Sequence, residues 1–350
     1  AGSYSYQWDA AAFSQTTALA TGLIAGTYTV TVNDLNSCTA TASATITTPA
    51  TTATVTAAVT SSYNGFDISC FGAADGEATA TGSGGTGAFS YLWSTGGTDA
   101  ILIGLVAGIY DVTATDANGC STTASVALLE PSQVIASILS QTNVSCFGGS
   151  DGDATADGSG GAGSYSYQWD AAAISQTTPT ATGLFAGTYT ATVSDLNACT
   201  ATTSVTITQP AVALSLGMVA VSNYNGFNIS CFGLTDGEAS ASAADGTAPY
   251  TYLWDAAAGS QTTANATGLA AGTYFVTATD ANGCTVNSSI NLTEPTPVIA
   301  SILSQTNISC FGGSNGTATA DGSGGAGSYS YQWDAAAFSQ TTALATGLIA

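Results

Sequence analysis

The chain has 350 residues with no Lys, Arg or His, and its 22 Asp and Glu give a formal net charge of −22. A chain without cations cannot neutralise phosphates, which argues against nucleic-acid binding, and the same charge disfavours anionic membrane surfaces. A hydrophobic content of 45% argues for folded cores over disorder, and no apolar stretch is long enough for a membrane-spanning helix.

The dominant pattern is an internal repeat. An aromatic alternation ends at Trp8 and recurs at Trp93, Trp169, Trp254 and Trp333, with spacings of 85, 76, 85 and 79 residues. Long and short units alternate. The long ones carry SSYNGFDIS from Ser61 or SNYNGFNIS from Ser222, and the short ones carry SQTNVS or SQTNIS in the same place. Residues 1–25 recur unchanged at 326–350, so the chain is expected to be a stretch of a longer tandem array. Pro49, Pro131, Pro210 and Pro295 each close a run rich in Thr, Val and Ile. They divide the chain into a partial repeat (1–49), a long one (50–131), a short one (132–210), a second long one (211–295) and a partial one (296–350). About 80 residues is small for one core but workable with a crosslink.

Within 132–210 the elements read as β throughout. Val134–Leu139 is a β-branched strand, CFGGSDG a turn, Ala154–Asp157 a strand and GSGGAG a loop. Tyr165, Tyr167 and Trp169 alternate with Ser166 and Gln168, the period of two of a half-buried strand. Thr177–Leu184 is extended, TYTATVSD is a strand, DLNAC reverses it, and TATTSVTIT runs out to Pro210. Asn118-Gly119 and Asn282-Gly283, in the equivalent turns, signal hairpins with positive φ at both central positions. The Ala-rich segments such as Ala171–Ala173 read as bends.

The pattern SCFGGSDG…GSGGAGSYSYQW…GLxAGTYTVTVxDxxxC…ITxP resembles the SprB repeat of bacterial gliding-motility adhesins of the Bacteroidetes, in three whole and two partial copies. The resemblance implies an all-β array of small immunoglobulin- or PKD-like antiparallel sandwiches, export by the type IX secretion system, and a giant cell-surface filament used for adhesion. The total lack of basic residues departs from what a family would show. The L-x-A-G-x-Y element also looks like a tyrosine corner, which assigns Tyr28, Tyr110, Tyr189 and Tyr274 to the core.

Eight cysteines fall at 38, 70, 120, 146, 199, 231, 284 and 310. A strand count favours one bridge within each repeat: four up-and-down strands between Cys146 and Cys199 return the chain to its starting end. That reading pairs Cys70–Cys120, Cys146–Cys199 and Cys231–Cys284. Its alternatives are Cys38–Cys70 and successive pairs across the boundaries, or free thiols. Closing about 50 residues contributes roughly 4 kcal/mol in the chain-entropy model and implies an oxidising, extracellular location at the cell surface.

Carboxylates cluster in the same turns: Asp75, Glu77 and Asp116; Asp151, Asp153 and Asp195; Asp236, Glu238 and Asp280. If both turns share one pole, these hard oxygens suit calcium. Plain turn chemistry is the alternative, and the last copy has Asn315 and Thr317 at the first two positions. The stripe Tyr165–Tyr167–Trp169 reads as the inward face of a central strand, with Trp8, Trp93, Trp169, Trp254 and Trp333 in the core, or else as a sugar-stacking platform. Sequons such as Asn143-Val144-Ser145 and Asn291-Leu292-Thr293 arise by chance in so Thr- and Ser-rich a chain. With no His, Lys or Arg and identical copies in every repeat, no enzyme is expected. The expected role is structural and adhesive, with further copies of the chain in a filament or bundle as partners. A repeated carbohydrate-binding module and a surface-layer lattice are the rival readings.

Overall fold

The computed structural model describes residues 3–349, which form strands and four three-residue 3-10 turns. The first partial repeat holds β1 (Ser5–Trp8), β2 (Gly26–Asn33) and β3 (Thr39–Ile46). The second repeat holds β4 (Thr54–Val59), β5 (Gly76–Ser83), β6 (Ser90–Trp93), β7 (Ile101–Leu105), β8 (Gly108–Thr115) and β9 (Ser121–Leu128). The third holds β10 (Ile135–Thr142), β11 (Gly152–Ser159), β12 (Ser166–Trp169), β13 (Thr180–Leu184), β14 (Gly187–Ser194) and β15 (Thr200–Ile207). The fourth holds β16 (Ser215–Ala220), β17 (Gly237–Ala244), β18 (Thr251–Trp254), β19 (Asn265–Leu269), β20 (Gly272–Thr279) and β21 (Thr285–Leu292). The last holds β22 (Thr296–Thr306), β23 (Gly316–Gly325) and β24 (Leu344–Leu348).

Each whole repeat forms two three-stranded sheets, β4-β5-β7 with β6-β8-β9 in the second, and the same orders in the third and fourth. The fold is all-β, an array of small immunoglobulin-like sandwiches. The partial repeats carry one sheet each: β1-β2-β3 corresponds to the Trp-bearing sheet and β22-β23-β24 to the other.

The cores follow from alternation. Ala78 and Ala80 on β5 are buried, and their small side chains leave room for Trp93, Tyr110 and Val112 of the facing sheet. Ala239 and Ala241 do the same for Trp254, Tyr274 and Val276. Burying an indole requires a partner for its N–H. Trp93 donates to the Asp99 carbonyl (2.9 Å), Trp169 to Thr178 (3.1 Å) and Trp254 to Thr263 (3.0 Å). Gly76 opens β5 at a register shift against β7, and a Cβ there would lie 2.5 Å from both Ile68 Cδ1 and Leu128 Cδ2.

Strand directions correct the count used for the cysteines. In the second repeat β5 runs antiparallel to β7 and β6 antiparallel to β8, while a two-residue connection reverses the chain between β7 and β8. So β6 and β7 run the same way, in different sheets, and residues 94–100 carry the chain between sheets without reversing it. Four strands therefore end at the opposite pole. Near Cys70, Ile68 N–H donates to the Leu129 carbonyl where the chain leaves the repeat (3.2 Å). Near Cys120, Thr86 N–H, just past the far end of β5, donates to Asp116 Oδ2 (2.9 Å). The fourth repeat has the same arrangement, with Ile229 N–H on the Thr293 carbonyl and Thr247 N–H on Asp280 Oδ2.

Two local expectations also change. Ala171–Ala173 and its counterparts are 3-10 turns, not bends, because Asp170 accepts from Ala173 N–H and from Thr190 N–H. The last hairpin has one positive φ, at Gly119 (83°) or Gly283 (83°), not two. Asp116 N–H bonds to the Cys120 carbonyl and Gly119 N–H to that of Asp116, both 3.0 Å, which makes a three-residue loop ending in a left-handed residue.

The chain divides into two compact units, residues 1–137, 157–167 and 192–202 in one, and 138–156, 168–191 and 203–350 in the other. The division passes through the third repeat, not through its linkers.

Candidate functional site at the repeat junctions

The Cys-Phe-Gly turn that opens each repeat is held from two sides. Ser69 N–H donates to Asp75 Oδ1 (3.1 Å), Ser145 N–H to Asp151 and Ser230 N–H to Asp236 (3.1 Å). The Ser145 hydroxyl and then its N–H hold Asp151 below the usual carboxylate range, and Ser230 does the same to Asp236. In the last copy Asn315 Oδ1 accepts from Ser309 N–H (3.2 Å), so the turn needs an acceptor and not a charge. From the other side, the residue before the linker proline grips the turn: Gly72 N–H donates to Glu130 (2.6 Å), Gly148 to Gln209 (2.8 Å) and Gly233 to Glu294 (2.6 Å).

The last hairpin is organised around one carboxylate. Asp116 accepts from Thr86, Asn118 and Cys120 N–H groups. The Cys120 and Thr86 N–H groups hold its carboxyl low against the opposing effect of burial. Asp280 is lowered first by Thr247 N–H, with Cys284, Asn282 and Gly283 adding to it and burial opposing. Asp195 accepts from Ala162, Asn197 and Cys199 N–H groups.

Turn and hairpin meet across the linkers. Cys70 is bonded to Cys199 and Cys146 to Cys284, with Cα separations of 5.7 and 5.6 Å. These bridges replace the pairings Cys70–Cys120, Cys146–Cys199 and Cys231–Cys284, and also the Cys38–Cys70 alternative. Cys38, Cys120, Cys231 and Cys310 are free and exposed. The physical reason is the parallel run of β6 and β7, which sends the turn and hairpin cysteines of one repeat to opposite poles. Each bridge lies inside one compact unit. The closed loops span 129 and 138 residues, each worth about 5 kcal/mol in the chain-entropy model.

Polar contacts flank the bridges. Asn197 Nδ2 donates to the Ser69 carbonyl (2.8 Å) and the Tyr63 carbonyl (3.3 Å), and its Oδ1 accepts from Asn64 (2.6 Å). Asn282 Nδ2 reaches the Ser145 carbonyl (3.4 Å). Phe147 lines the cavity where its turn faces Pro210, Val212 and Cys284. Sequence reasoning missed the asparagines and the Glu130, Gln209 and Glu294 grips. Their signals were there, an Asn two residues before every hairpin cysteine and Glu or Gln before three of the four prolines.

The carboxylates expected to share a pole are not brought together. Glu77 accepts from the Thr60 hydroxyl, Glu238 donates its N–H to Ser222 Oγ, and Asp153 pairs across the sheet with Thr182. Asp75 and Asp116 sit at opposite poles of their repeat, as do Asp236 and Asp280. Among the described residues no group of three or more His, Cys, Asp or Glu is placed to hold a metal ion.

Trp93, Trp169 and Trp254 are 1–2% exposed, so their faces are not open to a sugar, while Trp8 and Trp333 in the partial repeats are half-buried. Tyr28, Tyr110, Tyr189 and Tyr274 each donate a hydroxyl to the carbonyl four residues earlier, at 2.6 to 3.0 Å. Among the described residues no helix is long and apolar enough to cross a membrane.

The family model of the SprB repeat matches residues 66–98, 138–173, 227–259 and 302–338. These four segments are similar to the SprB repeat. Each matched segment contains the Cys-Phe-Gly turn and ends just past the tryptophan of the aromatic alternation, which leaves the hairpin cysteines outside the match. Similar solved structures include the three N-terminal domains of the bacteriophage RB49 highly immunogenic outer capsid protein (16% identity, 69% of this chain, 99% of that one, TM-score 0.33). Others are the N-terminal eight immunoglobulin domains of Down syndrome cell adhesion molecule (12%, 92% and 60%, TM-score 0.27) and a tetra-tandem repeat from the extending region of a large adhesion protein (16%, 83% and 91%, TM-score 0.28). No curated protein matches the chain.

Proposed function

We propose that this chain is a structural and adhesive stretch of a giant extracellular filament or stalk, serving attachment to surfaces or cells, as in gliding or prey capture. The observation that carries the reading is the covalent joining of successive repeats by Cys70–Cys199 and Cys146–Cys284. A bridge within a repeat stabilises only that repeat. A bridge across a linker lets tension pass from one sandwich to the next by two routes, which suits a load-bearing array. Bridges of this kind fit an oxidising, extracellular setting. The buried tryptophans and the absence of any cationic side chain support a non-enzymatic role.

Force spectroscopy on the oxidised and reduced chain tests the proposal. Under load the two bridges withhold most of the chain between Cys70 and Cys284, so reduction should lengthen the extended molecule by roughly 50 nm. Equal extension in both states would overturn the load-bearing role.

A further inference from the structure

Where the chain crosses between the two sheets, short and long repeats differ in a way the fold does not require. In the third repeat the 3-10 turn Ala171–Ala173 ends at Ile174, which holds φ 57° and is 83% exposed. A β-branched residue in the left-handed region is strained, and here no burial of its side chain offsets the strain. The fourth repeat has the same turn, Ala256–Ala258, and ends it with Gly259 at φ 70°. Glycine therefore serves the turn as well. Phe13, Ile174 and Phe338 hold this position in the short repeats, at φ 60°, 57° and 57°, which puts an apolar knob on every second repeat. The other long repeat turns at Gly96, φ 87°, and has no knob.

The long repeats are changed in the opposite sense. In the third repeat Gln168 donates its amide to the Trp169 carbonyl (2.9 Å) and to that of Ser175 (3.1 Å), the residue after the knob. Leu92 and Leu253 replace this glutamine in the long repeats, each 55% exposed. Leu253 faces Thr277 across the sheet, and Phe275, two residues before Thr277, lies on the same outward face. Phe275 is 57% exposed and stands where the third repeat has Thr190. A Cβ at Gly259 would meet no heavy atom within 4 Å, so the space beyond it is open. Leu253, Phe275 and Gly259 thus make an apolar floor with a gap where a short repeat has its knob. Ile174 and this floor both lie in whole repeats, with chain on either side.

We propose that the Ile174 knob seats on the Leu253–Phe275 floor of a second copy of this chain, so that copies associate side by side through these crossovers. Each copy holds both members of the contact. Charge selects the same occupant. A chain with 22 carboxylates and no cation approaches another copy favourably only through faces that carry no carboxylate. The strands beside the knob and the floor meet that condition, with Thr188, Thr190 and Thr192 outward on β14 and Thr273, Phe275 and Thr277 outward on β20. Asp170 and Asp255, which open the two turns, have both oxygens engaged by backbone N–H groups. Burying Ile174 against Leu253 and Phe275 removes apolar surface from water, the gain that the strained residue lacks in a single copy. The inference concerns the association of copies and stands whether or not the chain serves attachment.

The test uses the 350-residue chain with its exposed thiols alkylated, so that no new disulfide contributes to association. One variant removes the knobs (Phe13→Gly, Ile174→Gly and Phe338→Gly) and another the floors (Leu92→Gln, Leu253→Gln and Phe275→Thr). Every replacement is the residue that another repeat carries at that position, so both variants keep a sequence the fold accepts. Sedimentation velocity over a concentration series should show wild type self-associating, more strongly as added salt screens the carboxylates. Each variant alone should associate roughly tenfold more weakly or not at all. An equimolar mixture of the two should restore association, because one supplies floors and the other knobs. A monomeric wild type, association that survives loss of the knobs, or a mixture no better than its components would each overturn the proposal.

Discussion

Asn197 donates its side-chain amide to the Ser69 carbonyl at 2.8 Å, one residue before the cysteine that bonds to Cys199. The side chain thus fastens the next repeat to the backbone beside the bridge. Replacing it by Ala leaves the Ser69 and Tyr63 carbonyls without this donor, a loss of about 1 kcal/mol. Asn197→Ala should make Cys70–Cys199 reducible several-fold faster, while Cys146–Cys284 in the same molecule keeps its rate. Timed alkylation and mass spectrometry of the two bridges would read this directly. Equal acceleration of both would mean that the asparagine acts on the fold at large.

Gly76 supports a second prediction. A methyl group there meets Ile68, Leu128 and the Leu105 carbonyl inside the core. Two of these are branched tips that can shift, but the carbonyl, 2.9 Å away, belongs to a paired strand. Gly76→Ala should therefore destabilise the second repeat by roughly 1–3 kcal/mol, the usual cost of overpacking. Gly119→Ala, where nothing lies within 4 Å but φ is 83°, should cost less, since Ala198 holds the equivalent position at φ 63°. Chemical denaturation of the two variants, followed by tryptophan fluorescence, would rank them.

Much of this architecture was legible in the letters. The alternation Tyr165, Tyr167, Trp169 gives a strand because period two is a local property. The tyrosine at the third position of β2, β8, β14 and β20 is readable because its hydroxyl partner lies only four residues away. The bridges were not legible in the same way. Cys70 and Cys199 lie 129 residues apart, and their pairing depends on whether the chain reverses between β6 and β7. Nothing local announces that it does not, since a 3-10 turn and a hairpin both follow from short polar segments. The carboxylates misled for a related reason. The calcium reading required both turns to share one pole, whereas the oxygens of Asp116 are engaged by three backbone N–H groups at the pole opposite Asp75.

Those same N–H groups make stability depend on pH. The folded states of Asp116 and Asp280 hold their carboxyls below the ordinary value of 3.8. A group whose pKa is depressed by folding stabilises the fold fully above its unfolded value and loses that contribution as pH falls through the folded one. Unfolding midpoints should therefore be level through neutral pH and drop below about pH 4. In Asp280→Asn, Oδ1 still accepts from Asn282 and Cys284, but an amide faces Thr247 N–H. The variant should be less stable at pH 7 and show a shallower decline in acid. A wild-type curve flat down to pH 2 would contradict this account.

The first-turn acceptor gives the last prediction, which separates turn chemistry from calcium binding. Asp75, Asp151 and Asp236 each accept from the N–H of the serine before the cysteine, and Asn315 does the same work in the fourth copy, its amide also donating to Ser309 Oγ (2.9 Å). If the carboxylate serves only as an acceptor, Asp151→Asn should retain most of the thermal stability and Asp151→Ala should lose several degrees. The Ser145 hydroxyl is the finer control. It donates to the Asp151 carboxylate and is the first cause of that group's low pKa, so Ser145→Ala should raise the pH at which acid unfolding begins. A calcium site behaves differently. It would lose affinity in both Asp151 variants, and the wild-type midpoint would rise with millimolar calcium and fall with chelator, because a ligand bound only by the native state adds stability that grows with the logarithm of its concentration above Kd. Calorimetry of wild type and the three variants, with calcium and with chelator, should show no calcium dependence in any of them. A calcium-dependent rise confined to wild type and Ser145→Ala would show that the carboxylates hold a cation after all.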